Sequence, residues 1–234
     1  MRRFVVVALC LFAAAACGRI NETYKAEVDH HVAALHASSA TYPEYDEAPP
    51  ALAVGQWAEY RLTGANKRPG FVTYKIVGQQ GEAFWVETTL TTYTGKQETR
   101  MLIDFGDRSD PATFKVHAVT MRNNDKLLDY PPGTMQLLQG LWKPILSSFV
   151  IDWISNAPRE DVRASAGQFG GCFKRRMDLS VGPYQQHSDV WLHPAVPING
   201  IVRSQSIGKN PSLTELVAFG TDGATSAFGE QPLQ

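Results

Sequence analysis

Six histidines and three cysteines are the residues of this 234-residue chain with the widest chemical range, and their spacing narrows what they can do. His187, Asp189, Trp191 and His193 fall at every second position, the pattern of side chains on one face of a strand. At ~3.3 Å per residue, His187 and His193 would lie about 20 Å apart, too far to share one metal ion. His187 can touch Asp189, but a dyad without a nucleophile is only a surface pair. His30, His31 and His36 sit in a polar helical stretch, where solvated imidazoles are expected. Lys174, Arg175 and Arg176 would alternate across a strand and form no single basic patch. No nucleophile elbow, phosphate-cradling glycine loop or zinc spacing occurs. The sequence therefore assigns no catalytic residue, no metal and no cofactor, and reads as a non-enzyme. Thiol chemistry is left to Cys10, Cys17 and Cys172.

Cys17 is set apart by what precedes it. Arg2 and Arg3 lead into residues 4–16, an apolar run without a charge. As a helix this run rises about 20 Å, short of the ~30 Å hydrocarbon core of a membrane. A basic start, a short apolar middle and small residues before a cut are the pattern of a secretory signal. Ala14-Ala15-Ala16-Cys17 resembles the lipobox of bacterial lipoproteins, with Ala14 where that family prefers leucine. The resemblance implies cleavage before Cys17 and lipidation of its sulfur, palmitate-like chains anchoring the protein to a membrane. A plain signal peptidase would cut the same bond, so the fate of the Cys17 sulfur separates the two cases. In lipoproteins of two-membrane bacteria, Asp after the cysteine signals retention at the inner membrane. Gly18 stands there instead, which implies the outer membrane, on its periplasmic face.

Loss of residues 1–16 removes Arg2 and Arg3 and takes the formal net charge from −1 to about −3. That balance excludes a nucleic-acid footprint, which needs a basic excess. No later stretch is long and apolar enough to span a bilayer as a helix. Cys10 leaves with the signal, and Cys172 is then alone in an oxidising compartment, where a buried thiol on a strand is expected.

Four regions follow from the texture of the chain. Residues 1–16 are the signal peptide. Residues 17–50 are the lipidated N-terminus, a short helix and a linker. Asn21 can cap the helix, and Tyr24, Val28, Val32 and Leu35 recur on one face. "SSATYPEYDEAPPA", rich in Pro, Ser and acids, is the linker. Residues 51–220 alternate short strand-like runs with turn residues, ten strands in all, which argues an antiparallel meander. Gly170-Gly171 inside one long run predicts a bulge or bend. Residues 221–234 are small and polar and read as a flexible tail.

Residues 134–154, "TMQLLQGLWKPILSSFVIDWI", are the most apolar element after the signal. Thr134 can cap a helix, and apolar pairs recur every four residues. A step of four advances about 40°, so the stripe winds halfway round over four steps. Pro144 removes the bond to the Gly140 carbonyl and should kink the helix there. Two arms could then hold one apolar surface, with Leu138, Leu141, Trp142, Ile145, Phe149 and Trp153 as a hydrophobic lid or ligand contact.

"ASAGQFGGCFKRRM" and "VWLHPAVPINGIVRSQS" resemble strand and turn motifs of uncharacterised bacterial envelope lipoproteins of a curved-sheet type. With the ending "LTELVAFG" these cover the last third of the chain. The architecture implied is similar to the Lol-type lipoprotein carriers. The expected fold is α+β, a curved antiparallel sheet forming an open half-barrel, with helices packed on its concave side. Independently, Pro194 and Pro197 make "HPAVPING" a loop, and Asn199-Gly200 is expected to supply its tight turn. The expected function is a membrane-anchored lipoprotein whose concave sheet binds a lipid or a lipoprotein acyl chain. The alternative is a structural or interaction protein of the envelope with a filled cavity. The expected partners are a membrane and a lipid or envelope protein, with no nucleic acid.

Overall fold

The computed structural model describes residues 19–45, 51–124, 126–130, 146, 149, 157–181, 184–208 and 211–229. Helix α1 spans Glu22–Ala34, and the Asn21 side chain accepts from the Thr23 amide at 3.0 Å, as an N-cap should. Twelve strands follow in one sheet. They are β1 (Thr41–Tyr42), β2 (Trp57–Thr63), β3 (Pro69–Gln80), β4 (Ala83–Thr92), β5 (Gly95–Asp104) and β6 (Lys115–Asn123). The remainder are β7 (Lys126–Tyr130), β8 (Arg159–Ala164), β9 (Gly167–Val181), β10 (Tyr184–Leu192), β11 (Ile201–Ile207) and β12 (Leu213–Gly220).

Strands β2 to β7 form a meander, each antiparallel to the next. The β3–β4 turn shows why such short connections work. Gln80 pairs with Ala83, and Gly81 takes φ +61° at the first of two turn positions, as a tight hairpin demands. Strands β9 to β12 make a second meander, and β12 lies against β2, joining the two runs into an open sheet that does not close on itself. Among the described residues, all pairings are antiparallel except β1 with β9. Both β8 and β10 pair Phe173 of β9, so they occupy its two opposite edges. Strand β1 then fills the edge beyond the end of β10, through Thr41 beside Gln168 and Tyr42 beside Phe169.

The expected bulge is present. Glu160 opposes Cys172 and Val162 opposes Phe169, which leaves an extra residue on β9 where Gly171 takes φ +61°. Two strands were not legible as such. Strand β1 lies inside the stretch read as a linker, where Tyr42 stacks on Phe169 at 4.5 Å and so fastens an otherwise polar segment to the sheet. Strand β7 is short and exposed, and it follows the turn at Asn124, whose φ is +52°.

Register separates the two faces of the sheet. One face carries Tyr60, Val72, Ile76, Val86, Met101, Val119, Val202 and Leu216, all buried. The other carries Glu59, Thr73, Thr89 and Glu98 in one cross-strand row, and Arg61, Phe71, Thr91 and Lys96 in the next. Helix α1 rests on this second, polar face, against β3 and β4. Val28 is its buried residue, so the stripe expected from Tyr24 to Leu35 seats on one side chain. Helices packed on the apolar face are thus not what α1 provides. Of residues 134–154, Leu146 and Phe149 are described, and both are buried in the apolar core.

Candidate functional site

The apolar face divides into two principal clusters. One is built from Ile76 of β3, Val86 of β4, Met101 and Ile103 of β5, and Val119 and Met121 of β6. Two loop aromatics, Phe105 and Phe114, meet edge-on beside it at 5.2 Å. The strands alternate, so their apolar side chains project to one side and need a cover that the sheet cannot supply. Phe149 is part of that cover. It is fully buried, its ring 5.5 Å from Tyr74 and 5.6 Å from Phe105, both edge-on. Leu146 is helical, and its carbonyl accepts from the Phe149 amide at 3.0 Å. Of the residues expected to line a lid, Phe149 is placed here; Leu138, Leu141, Trp142, Ile145 and Trp153 lie outside the described residues, as does Cys17.

The second cover is the loop at 193–200, which sequence reasoning read only as a turn. It folds inward, closed by a bond from the His193 amide to the Gly200 carbonyl at 2.8 Å. Ile198 enters the cluster just described, and Val196 enters the second one, built around Tyr60 of β2, Val72 of β3, Phe169 of β9, Val202 of β11 and Leu216 of β12; both are fully buried. Gly200 takes φ +71°, as the expected Asn199-Gly200 turn needs, but the turn begins one residue earlier. Ile198 itself takes φ +69°, and the Asn199 amide reaches back to the Pro197 carbonyl at 2.8 Å, a γ-turn around a β-branched residue. That conformation is costly and survives only where surroundings impose it. Here the Tyr60 hydroxyl donates to Asn199 Oδ1 at 2.7 Å, and the Arg108 guanidinium donates to the Ile198 carbonyl. The sequence signal for this was the pair of prolines, which stop the loop from joining a ladder.

Burial dominates the electrostatics of this face. It pulls Arg108 down to about 10 and raises Tyr60 well above the ordinary tyrosine range. Burial, with Asp161 nearby, pushes the Cys172 thiol up to about 12, which makes it a poor nucleophile. Burial also lowers His193, against the opposing effect of its bonds to backbone at Pro43 and Gly170. His193 leaves the strand that carries His187 and Asp189, so the alternating row ends at Trp191. Asp189 instead lies 3.5 Å from Arg176 and 3.9 Å from Lys174. His31 is not simply solvated: docking of α1 stacks it on Phe71 at 3.9 Å and brings it 3.4 Å from Glu59. Among the described residues no group of three His, Cys, Asp or Glu side chains is placed to hold a metal.

On the polar face, a cavity of about 170 Å³ lies under α1, lined by Glu27, His31, Glu59, Thr89, Thr91 and Lys96 among others. It is smaller and more polar than the roughly 300–1,000 Å³ of ordinary ligand pockets. An acyl chain has no place in it.

No protein-family model and no curated protein matches the chain. A solved structure of a hypothetical protein from Chlamydia trachomatis is similar at 9% identity, with a TM-score of 0.40. The match covers 74% of this chain and 90% of that one.

Proposed function

We propose that this protein is a lipid-anchored envelope lipoprotein, held through Cys17 at the periplasmic face of the outer membrane. In this reading its open sheet curves into a half-barrel and shelters an acyl chain of a lipid or of another lipoprotein. The segment carrying Leu146 and Phe149 acts as a lid over the apolar side. One observation carries the reading: Phe149, from outside the sheet, is wholly buried among Tyr74, Phe105 and the side chains of β3 to β6. A face so apolar needs a cover, and a cover on a separate segment can be exchanged for an aliphatic chain of like volume. At the 193–200 loop, Arg108 Nε and Asn199 Nδ2 are buried without a hydrogen-bond partner among the described residues, and the carbonyl end of such a ligand would accept from them.

The second reading, a structural envelope protein with a filled interior, is favoured by the complete burial of Ile198 and Phe149 in the same cluster. A fluorescent fatty-acid probe separates them. Saturable binding by the parent, strengthened in Phe149→Ala, supports the carrier. No binding by either protein, with severe destabilisation of the variant, leaves the structural reading.

A further inference from the structure

The C-terminal segment, expected to fray, crosses the polar face at right angles to the strands. It follows one cross-strand row, in which Trp57, Lys75, Glu87 and Arg100 are successive register partners on β2, β3, β4 and β5. Trp57 Nε1 donates to the Asp222 carbonyl at 3.1 Å, and Lys75 Nζ donates to the Thr225 carbonyl at 3.1 Å. The row then meets a buried carboxylate. Glu87 is 1% exposed, and it accepts from the Ser226 hydroxyl at 2.5 Å, the Ala227 amide at 2.7 Å and Arg100 Nε at 2.9 Å. Two of those three donors belong to the segment. Beyond them the Phe228 ring lies 4.5 Å from the Arg100 guanidinium and 4.6 Å from that of Arg122, and Arg122 also donates to the Ala227 carbonyl at 3.1 Å.

We infer that Glu87, Arg100 and Arg122 form a peptide-recognition site for a Ser-Ala-Phe segment, filled here by the chain's own residues 226–228 and open in trans to the same segment of a second copy. The contacts read a hydroxyl, a main-chain amide and an aromatic ring in fixed order. That is selectivity for a peptide of defined sequence and direction rather than generic charge pairing. A buried carboxylate is costly unless its lone pairs are met, and the segment that covers Glu87 also supplies two of its three donors. The Ser226–Phe228 contacts are made through the sheet's side chains rather than by adding a strand. The occupant can therefore leave without breaking a backbone ladder. Gly223, at φ +82°, provides a pivot before the segment, and release from there also breaks the bond from the Ala224 amide to the Gly55 carbonyl at 2.9 Å. Every copy of the chain carries both the site and the segment that fits it, so an exchange between two copies is self-complementary. In one chain the segment competes at the millimolar effective concentration of a short tether, which keeps the exchange silent until copies are crowded or the segment is weakened.

Two full-length variants test this. Phe228→Ala keeps the site and spoils the segment; Glu87→Gln keeps the segment and spoils the site. Each alone should be monomeric by native mass spectrometry, and their mixture should give a 1:1 complex. A mixture with no complex, while both variants retain the parent's circular dichroism, overturns the proposal. Where Glu87→Gln folds poorly, Arg122→Ala replaces it. As an independent measurement, a labelled peptide of residues 221–229 should bind Phe228→Ala at least about tenfold more tightly than the parent, since the variant's own segment has lost its cation–π contacts. The same peptide with alanine in place of Phe228 should not bind. Equal binding to parent and variant, or none to either, also overturns it.

Discussion

The Tyr60 hydroxyl and the Asn199 side-chain oxygen meet at 2.7 Å across 139 residues of chain, joining β2 to the loop that covers the apolar face. Asn199 Oδ1 also accepts from the Ile201 amide at 3.2 Å, so one buried oxygen holds the loop to the sheet and sets the start of β11. Tyr60→Phe removes one of these bonds and leaves the other. It should destabilise the protein by about 1–2 kcal/mol in urea unfolding, within the range for a buried hydrogen bond. No measurable change would mean that the loop is held by packing alone.

Ile198 should invert the usual order of core substitutions. Truncation to alanine loses buried side-chain volume, at ~2–5 kcal/mol, while keeping a Cβ at positive φ. Glycine loses the same packing but accepts φ +69° without strain. Ile198→Gly should therefore be the more stable of the two variants, by roughly 1 kcal/mol. Thermal unfolding of both checks it, and a less stable glycine variant would show that the γ-turn carries no strain.

Phe149→Ala should cost ~3–5 kcal/mol if Phe149 is a permanent part of the core. A smaller loss, paired with stronger uptake of the fatty-acid probe, is the outcome for a movable cover. Chemical denaturation and probe titration on the same two proteins decide between them.

Cys172 gives a pH dependence of known sign. Its thiol is raised from 9.0 to about 12 in the folded protein, so the folded state keeps its proton where the unfolded state gives it up. The stability it supports is whole below pH 9 and is lost as pH rises from there towards 12, at up to ~1.4 kcal/mol per unit. Cys172→Ala should lack this slope, so the difference between the two stability curves between pH 8 and pH 10 isolates it. In the native state the thiol should resist maleimide at neutral pH and react only on unfolding.

Cys17→Ser should move the protein from the membrane fraction to the soluble fraction, since replacing the sulfur removes the site of acylation. Retention in salt-washed membranes would refute lipidation as the anchor.

Local pattern carried much of the architecture. Alternation in β3 and glycines at the turns made all ten longer strands legible, because period-two burial and positive φ are properties of a few adjacent residues. The Asn21 cap and the bulge at Gly170-Gly171 were legible for the same reason. What tertiary structure decided was which surfaces meet. Nothing in "HPAVPING" shows that it folds inward rather than out, since its burial depends on an uncovered apolar face and on Tyr60, far away in the chain. Nothing in "SAFG" shows that it is held, because its partners Glu87, Arg100 and Arg122 come from three strands brought together only by the sheet's register. Nothing in the polar N-terminal helix shows what it packs on, since its His31 meets Phe71 and Glu59, which strand register brings side by side on the polar face of the sheet. A short segment can encode its own backbone geometry, whereas the partner it will bury is set by pairing between residues separated by a hundred or more positions.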